Sequence, residues 1–251
     1  MKDEISKFRK GAEYILNSIM GFVYPPQCLV CDKLHEGNKF FLCDKCERAV
    51  DFYNDPYCFK CKNVIVSGDG KCSRCRGGGC ISKIWACSAY DDFIRPLIHS
   101  FKYAGVLPAG KYLSEKLADL MADRLLERDF DMIVPIPLHP LRERRRGFNQ
   151  SIFISEWLSE KLEMPVDADA LIRIRRTKDQ TGLNRQKRKE NMRGAFRANG
   201  EMIFRDKRVI LVDDVTTSGA TASEAAEVLK NAGVSEVQLA VLAIAGHDLQ
   251  E

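Results

Sequence analysis

Between Arg208 and Leu229 the chain reads RVILVDDVTTSGATASEAAEVL, and this stretch restricts the fold more than any other. An apolar run, Val209 to Val212, leads into two adjacent acids, Asp213 and Asp214. A run of small hydroxyl residues around one glycine follows, Thr216-Thr217-Ser218-Gly219-Ala220-Thr221. A short apolar run entering a turn and then strong helix formers predicts a buried strand followed by a helix from Ala220 to Asn231, closed by Gly233. The loop after a buried parallel strand lies at the carboxyl edge of its sheet, where ligands bind in open α/β folds.

The chemistry of that loop is specific. A helix beginning near Gly219 directs unbonded N–H groups and a positive dipole end at the loop, a setting that suits a phosphate monoester. Gly219 lets the backbone approach closely, and Thr216, Thr217, Ser218 and Thr221 add hydroxyl donors. The loop has neither the lysine of GxxxxGK[ST] nor the spacing of GxGxxG. Carboxylates only accept, so Asp213 and Asp214 suit the two hydroxyls of a ribose with Mg²⁺ nearby. Acids beside a phosphate loop therefore point to a 5-phosphoribosyl group. The blander reading is a helix cap.

Other segments extend the α/β pattern. IWACSAY alternates like a strand. Residues 111–128 place Leu113, Leu117, Leu120, Met121 and Leu125 on one helical face. DMIVPIPLH reads as a buried strand ending in prolines, NQSIFISEWLSEKL as a helix starting at 149–151, and EVQLAVLAIA as a last strand. Strands alternating with helices predict a parallel sheet. Leu171 to Arg197 is polar and basic with little periodicity.

Residues 25–80 differ in kind. Of ten cysteines in the chain, the pairs Cys28/Cys31, Cys43/Cys46, Cys58/Cys61 and Cys72/Cys75 are CxxC turns. Two such turns offer four thiolates to one tetrahedral Zn²⁺, so four turns predict two structural zinc sites. Sequential pairing is the simpler arrangement; crossed pairing of first with third turn stays open. Disulfides or an iron–sulfur cluster are the competing readings. A core-poor segment of this size needs such a staple. Cys80 and Cys87 read as ordinary buried thiols. Arg76-Gly77-Gly78-Gly79 reads as a joint. Before the cysteines, Ile5, Phe8, Ile15, Leu16, Ile19 and Met20 predict an amphipathic helix over 1–24, stopped by Pro25-Pro26.

Hydrophobic content of 45% and charged content of 29% are those of a globular protein, and a net charge of +4 is too mild to imply nucleic-acid binding alone. No apolar run is long enough for a membrane span. With no signal-peptide core at the start, a reduced, cytoplasmic setting is expected, which favours metal over disulfides.

The apolar run, the acid pair and the Thr216–Thr221 loop resemble the phosphoribosyl pyrophosphate (PRPP) signature of type I phosphoribosyltransferases. FKYAG, PIPLHPLRERRRGFNQS and DQTGLNRQKRKENMRGAF are similar to the ComF family, phosphoribosyltransferase-like proteins linked to natural competence that also begin with paired zinc motifs. Ser218 stands where the signature more often has threonine; it keeps the hydroxyl. The resemblance implies that Asp213 and Asp214 hold the ribose and that Thr216, Thr217, Ser218, Gly219, Ala220 and Thr221 hold the 5-phosphate. It places VPIPLHP at the pyrophosphate loop, followed by Arg142, Arg144, Arg145 and Arg146. Those arginines either neutralise diphosphate or form a solvated or nucleic-acid-facing surface. Arg173 to Arg197 covers the family's mobile loop, where Arg185 and Arg188 would reach diphosphate or single-stranded DNA. Lys102 and Tyr103 belong to the similar FKYAG element, and His99 and His139 are candidate acid–base groups whose ordinary role is packing or hydrogen bonding.

The expected organisation is thus a helix at 1–24, a double zinc ribbon at 25–80 and a type I phosphoribosyltransferase-like α/β domain at 81–251. Two functions fit. One is Mg²⁺-dependent phosphoribosyl transfer from PRPP to an acceptor. The other is a competence accessory that engages single-stranded DNA or a helicase partner and uses PRPP as a regulatory ligand. No membrane insertion is expected.

Overall fold

The computed structural model describes residues 26–65, 72–75, 79–125, 130–177, 184–200 and 204–245. The helix expected over 1–24 and residues 76–78 of the joint lie outside the described residues. The chain divides into two compact units, residues 1–50 and 51–251.

In the first unit, Cys28–Cys31 forms a tight turn. Asp32 N donates to Cys28 O at 2.9 Å, Cys28 N donates to Lys33 O at 3.0 Å, and Asp32 takes a left-handed conformation, φ 58°. The second pair opens helix α1 (Asp44–Arg48), across which Lys39 and Glu47 pair at 2.7 Å.

The second unit is built on a five-stranded sheet ordered β1-β2-β7-β6-β3, from β1 (Tyr57–Cys58), β2 (Lys83–Ala89), β3 (Met132–Pro135), β6 (Arg208–Thr216) and β7 (Glu236–Ile244). The last four run parallel; β1 pairs antiparallel with β2, Tyr57 opposite Ile84. The fourth cysteine-bearing turn and its partner therefore belong to this unit, because a strand of the second ribbon is hydrogen-bonded to the sheet edge. The double-ribbon stretch thus straddles the division between the units.

Strand β6 has parallel neighbours on both sides, which is why Val209 to Val212 is a continuous apolar run rather than an alternating one. It continues through the acids to Thr216, held by Val215 opposite Ala243 and Thr216 opposite Ile244. Helix α7 (Ala220–Asn231) covers one face with Ala222, Ala225, Ala226 and Leu229, a helical i, i+3, i+4, i+7 set that packs with Val209, Leu211, Val237 and Leu239. Truncating the fully buried Leu229 to alanine would cost about 2–5 kcal/mol. On other surfaces of the sheet, α3 (Leu107–Ala122) packs on β2 and β7, and α5 (Gln150–Leu162) packs on β6, β3 and α3. Helix α3 starts at Leu107 with Pro108 in its first turn, a position proline tolerates. Helix α2 (Ile94–Tyr103) precedes it.

The described residues of the polar segment after Leu171 form a small two-stranded antiparallel sheet, β4 (Leu171–Arg173) with β5 (Phe196–Ala198), and a helix α6 (Arg185–Met192). The Asn184 side chain caps α6 by accepting from Lys187 N at 2.9 Å.

Candidate functional site

The carboxyl ends of β3 and β6, with the helices that follow them, enclose a cavity of about 420 Å³. Its lining includes Asp213, Asp214, Thr216, Thr217, Gly219, Ala220 and Thr221 from the expected loop. Gly219 caps α7 in the left-handed region, φ 75°, so the chain turns sharply from strand to helix. Thr216 Oγ1 and Ser218 Oγ are buried without a hydrogen-bond partner among the described residues. Buried hydroxyls are ordinarily paired, so Thr216 Oγ1 at the end of β6 and Ser218 Oγ just before α7 are free to donate to a ligand. Thr217 is exposed and accepts from an Arg188 guanidinium nitrogen at 2.9 Å.

Asp213 Oδ1 accepts the backbone N–H of Asp214 at 2.9 Å, and Lys102 Nζ pairs with Asp214 Oδ1 at 2.8 Å. Burial, then the neighbouring Asp214 charge, pushes the Asp213 carboxyl up to about 7, against the lowering effect of that N–H and of Lys102.

The arginines separate into two sets. RERRR forms helix α4 (Pro140–Arg146), whose turn periodicity puts Arg142 and Arg146 on one side. Both line the cavity; Arg142 also donates to Thr177 O at 3.2 Å, and Arg146 donates to Gln150 Oε1 at 2.8 Å while lying 5.1 Å over the Tyr103 ring. Arg144 and Arg145 are exposed and are not among the lining residues. Arg188 of α6 lines the cavity and Arg185 opens that helix. His139 is the N-cap of α4, accepting from Leu141 N, and His99 stacks on Tyr103 at 4.7 Å, so each has a structural role.

Arg173 was not singled out by its sequence context, yet it is 9% exposed and lines the cavity. It donates to Thr177 Oγ1 at 2.6 Å and lies 5.3 Å over the Phe196 ring, while its Nε has no partner among the described residues. Burial, then neighbouring Arg142, lowers its pKa to about 10, which still leaves it charged at neutral pH. Nothing in its local sequence signals burial. Lys102 was foreseeable only through the FKYAG similarity. The acids, the hydroxyl loop and five cations, Lys102, Arg142, Arg146, Arg173 and Arg188, thus face one space.

The eight CxxC cysteines form two groups in sequential pairing, Cys28/Cys31/Cys43/Cys46 and Cys58/Cys61/Cys72/Cys75, with all sulfurs of a group within 4.8 Å of one another. Tetrahedral zinc with Zn–S near 2.3 Å sets sulfurs about 3.8 Å apart. Cys31–Cys43 at 3.9 Å, Cys58–Cys75 at 3.5 Å and Cys61–Cys72 at 3.4 Å fit that edge length. Burial opposes ionisation of Cys28, but backbone N–H groups of Cys43, Cys31 and Val30 bring it down to about 7; the Cys75 N–H does the same, to about 7, for Cys72. Both groups therefore fit structural zinc. Cys87 is buried and its pKa is raised by that burial, as for an inert thiol.

Among the described residues no helix is long and apolar enough to cross a membrane. Residues 148–251 match the model of the phosphoribosyl transferase domain and residues 19–76 that of the double zinc ribbon domain. Competence protein F of Haemophilus influenzae is 30% identical over 219 residues, covering 85% of this chain and 94% of that protein. DNA utilization protein YhgH of Escherichia coli K12 is 31% identical over 219 residues, covering 86% and 95%. A purine phosphoribosyltransferase from Pyrococcus horikoshii Ot3 superposes over 54% of this chain and 73% of its own at 20% identity, with a TM-score of 0.35, too distant to bear on function. With relatives matched over nearly their whole length, a double zinc ribbon and a type I phosphoribosyltransferase-like sheet, the chain belongs to the ComF family of competence proteins.

Proposed function

We propose that the cavity binds PRPP with Mg²⁺ and transfers its phosphoribosyl group to an acceptor. The observation that carries this reading is the pair of buried, unpaired hydroxyls, Thr216 Oγ1 and Ser218 Oγ, at the start of α7 beside Asp213 and Asp214. These hydroxyls and the first N–H groups of α7 receive the 5-phosphate. Asp213 and the Asp214 oxygen not engaged by Lys102 accept from the ribose hydroxyls, and their charge stabilises the cation that develops on the ring.

Transfer breaks the bond between ribose carbon 1 and diphosphate. The electron pair leaves with diphosphate, and a lone pair of the acceptor forms the new bond to carbon 1. Arg142, Arg146 and Arg173 meet the charge gathering on the leaving group. Asp213 and Asp214 are the residues that would help hold Mg²⁺, which would supply further charge neutralisation.

Calorimetry with PRPP and Mg²⁺ tests the reading. Wild-type protein is expected to bind, and Asp213→Asn/Asp214→Asn to lose binding. Unchanged affinity in the double variant would defeat the site assignment.

A second reading has its own support. Arg144 and Arg145 are exposed and are not among the cavity-lining residues, which suits contact with the phosphates of single-stranded DNA. On that reading the cavity ligand regulates a DNA-handling role.

A further inference from the structure

The second cysteine group is built like the first but ends against the phosphate loop. Lys62 N donates to Cys58 O at 2.8 Å, Cys58 N donates to Asn63 O at 2.8 Å, and Lys62 is left-handed, φ 62°. This is the same turn as at Cys28–Cys31. Cys58 lies in β1 and pairs opposite Lys83 on the sheet edge, so the turn is anchored to the sheet on one side and to the thiolate group on the other.

Phe59 is the residue this turn presents inward. It packs against the main core of the α/β unit, and Lys62 Nζ sits 4.5 Å over its ring. The ring edge lies against Gly219: a β-carbon at position 219 would be 2.7 Å from Phe59 Cζ and 3.2 Å from Cε2. Gly219 is the left-handed cap from which α7 starts, and with Thr216, Thr217, Ala220 and Thr221 it lines the cavity. An anion loop binds well when it is held in its bound shape beforehand.

We propose that Phe59 is a positioning residue that buttresses Gly219 from behind, so that an intact Cys58/Cys61/Cys72/Cys75 group preorganises the phosphate loop for its ligand. The PRPP part rests on the function proposed above; the buttress does not. Without metal, four thiols have no common centre and the Cys58–Cys61 turn loses one of its two anchors. Phe59 then withdraws and the loop loses its wall. Metal status of the second ribbon and phosphate affinity are linked, by linkage, in both directions.

The test uses the full zinc-loaded chain and two substitutions, Phe59→Ala and Phe59→Leu. Zinc content and thermal melting establish that each variant is folded and metallated. Amide hydrogen exchange over Thr216–Thr221 then reads the loop without ligand, and calorimetry with PRPP and Mg²⁺ reads the site. Phe59→Ala is expected to hold its zinc, to exchange faster in this loop than wild type, and to bind PRPP about tenfold more weakly. Phe59→Leu restores part of both. Unchanged loop exchange in a metallated Phe59→Ala protein overturns the buttress. If wild type fails to bind PRPP while Phe59→Ala still loosens the loop, the ligand assignment fails and the buttress stands. Should Phe59→Ala not fold, Phe59→Leu with the same two readouts decides between these outcomes.

Discussion

Lys102 Nζ lies 2.8 Å from Asp214 Oδ1, with the two side chains 16% and 14% exposed, so a helix α2 cation is docked on the acid pair of β6. The pair fixes one carboxylate oxygen and leaves the other free to accept. Lys102→Met removes that fixation and leaves two adjacent carboxylates without their nearest cation. It is expected to weaken binding of the anionic PRPP about tenfold and to shift the Mg²⁺ dependence to lower concentration, because uncompensated carboxylates attract a cation more strongly. Stability should fall by about 1–2 kcal/mol, less than for a fully buried pair because water in the cavity reaches both groups. Calorimetry across a Mg²⁺ series and urea denaturation read the two effects.

Asp213 makes the site pH-dependent. Its folded pKa is raised to about 7 by burial and then by Asp214, well above its unfolded value of 3.8. The folded protein therefore holds this proton more tightly than the unfolded chain. The stability contributed by protonated Asp213 is fully present below the unfolded value and is lost as pH rises through about 7. Ligand binding runs the opposite way, because ribose hydroxyls and Mg²⁺ favour the ionised form. PRPP affinity is expected to climb with pH up to about 7 and level off, and the free protein's melting temperature to drop over the same range. Asp213→Asn should flatten both curves and raise melting at pH 8 relative to wild type. A melting profile of identical shape in the variant would refute the assignment.

What was legible in the sequence was local. The strand–acids–loop–helix segment reads through its apolar run and its glycine, and the cysteine turns through their spacing. Both are short-range patterns, and each keeps its own residues together in the structure. Long-range facts were not legible. Strand β1 is two residues long, too short for any period to show, yet it attaches the second ribbon to the sheet. Arg173 belongs to a residue type usually exposed, and only the fold buries it between Phe196 and the cavity. The division of RERRR follows helical periodicity, and it becomes readable once Pro140 is taken as a helix start.

Two glycines separate conformational from steric cost. Gly147 and Gly219 are both left-handed, φ 82° and 75°, but a β-carbon at Gly147 would meet nothing within 4 Å while one at Gly219 would strike Phe59. Gly147→Ala is expected to cost about 1 kcal/mol, the left-handed penalty alone. Gly219→Ala adds overpacking against a rigid ring and should cost about 2–4 kcal/mol, with loss of ligand binding. Urea titrations of both variants give the comparison. Equal losses would mean that Phe59 yields freely.

The two arginine sets should separate by ligand. Arg142 and Arg146 face the cavity, so Arg142→Ala/Arg146→Ala is expected to lower PRPP affinity by at least tenfold, each lost charge-assisted contact being worth about 1.5–3 kcal/mol. Arg144→Ala/Arg145→Ala leaves the cavity lining intact and should bind PRPP like wild type. If the exposed pair contacts single-stranded DNA, its removal weakens that binding similarly for all sequences. It also reduces the slope of log affinity against log salt by about 1.4, since each phosphate contact on a single strand contributes about 0.7. Titrating fluorescent oligonucleotides at several salt concentrations measures the slope. A wild-type slope near zero would remove the DNA role for this surface, and a PRPP defect in the Arg144/Arg145 variant would mean that the two sets act on one ligand.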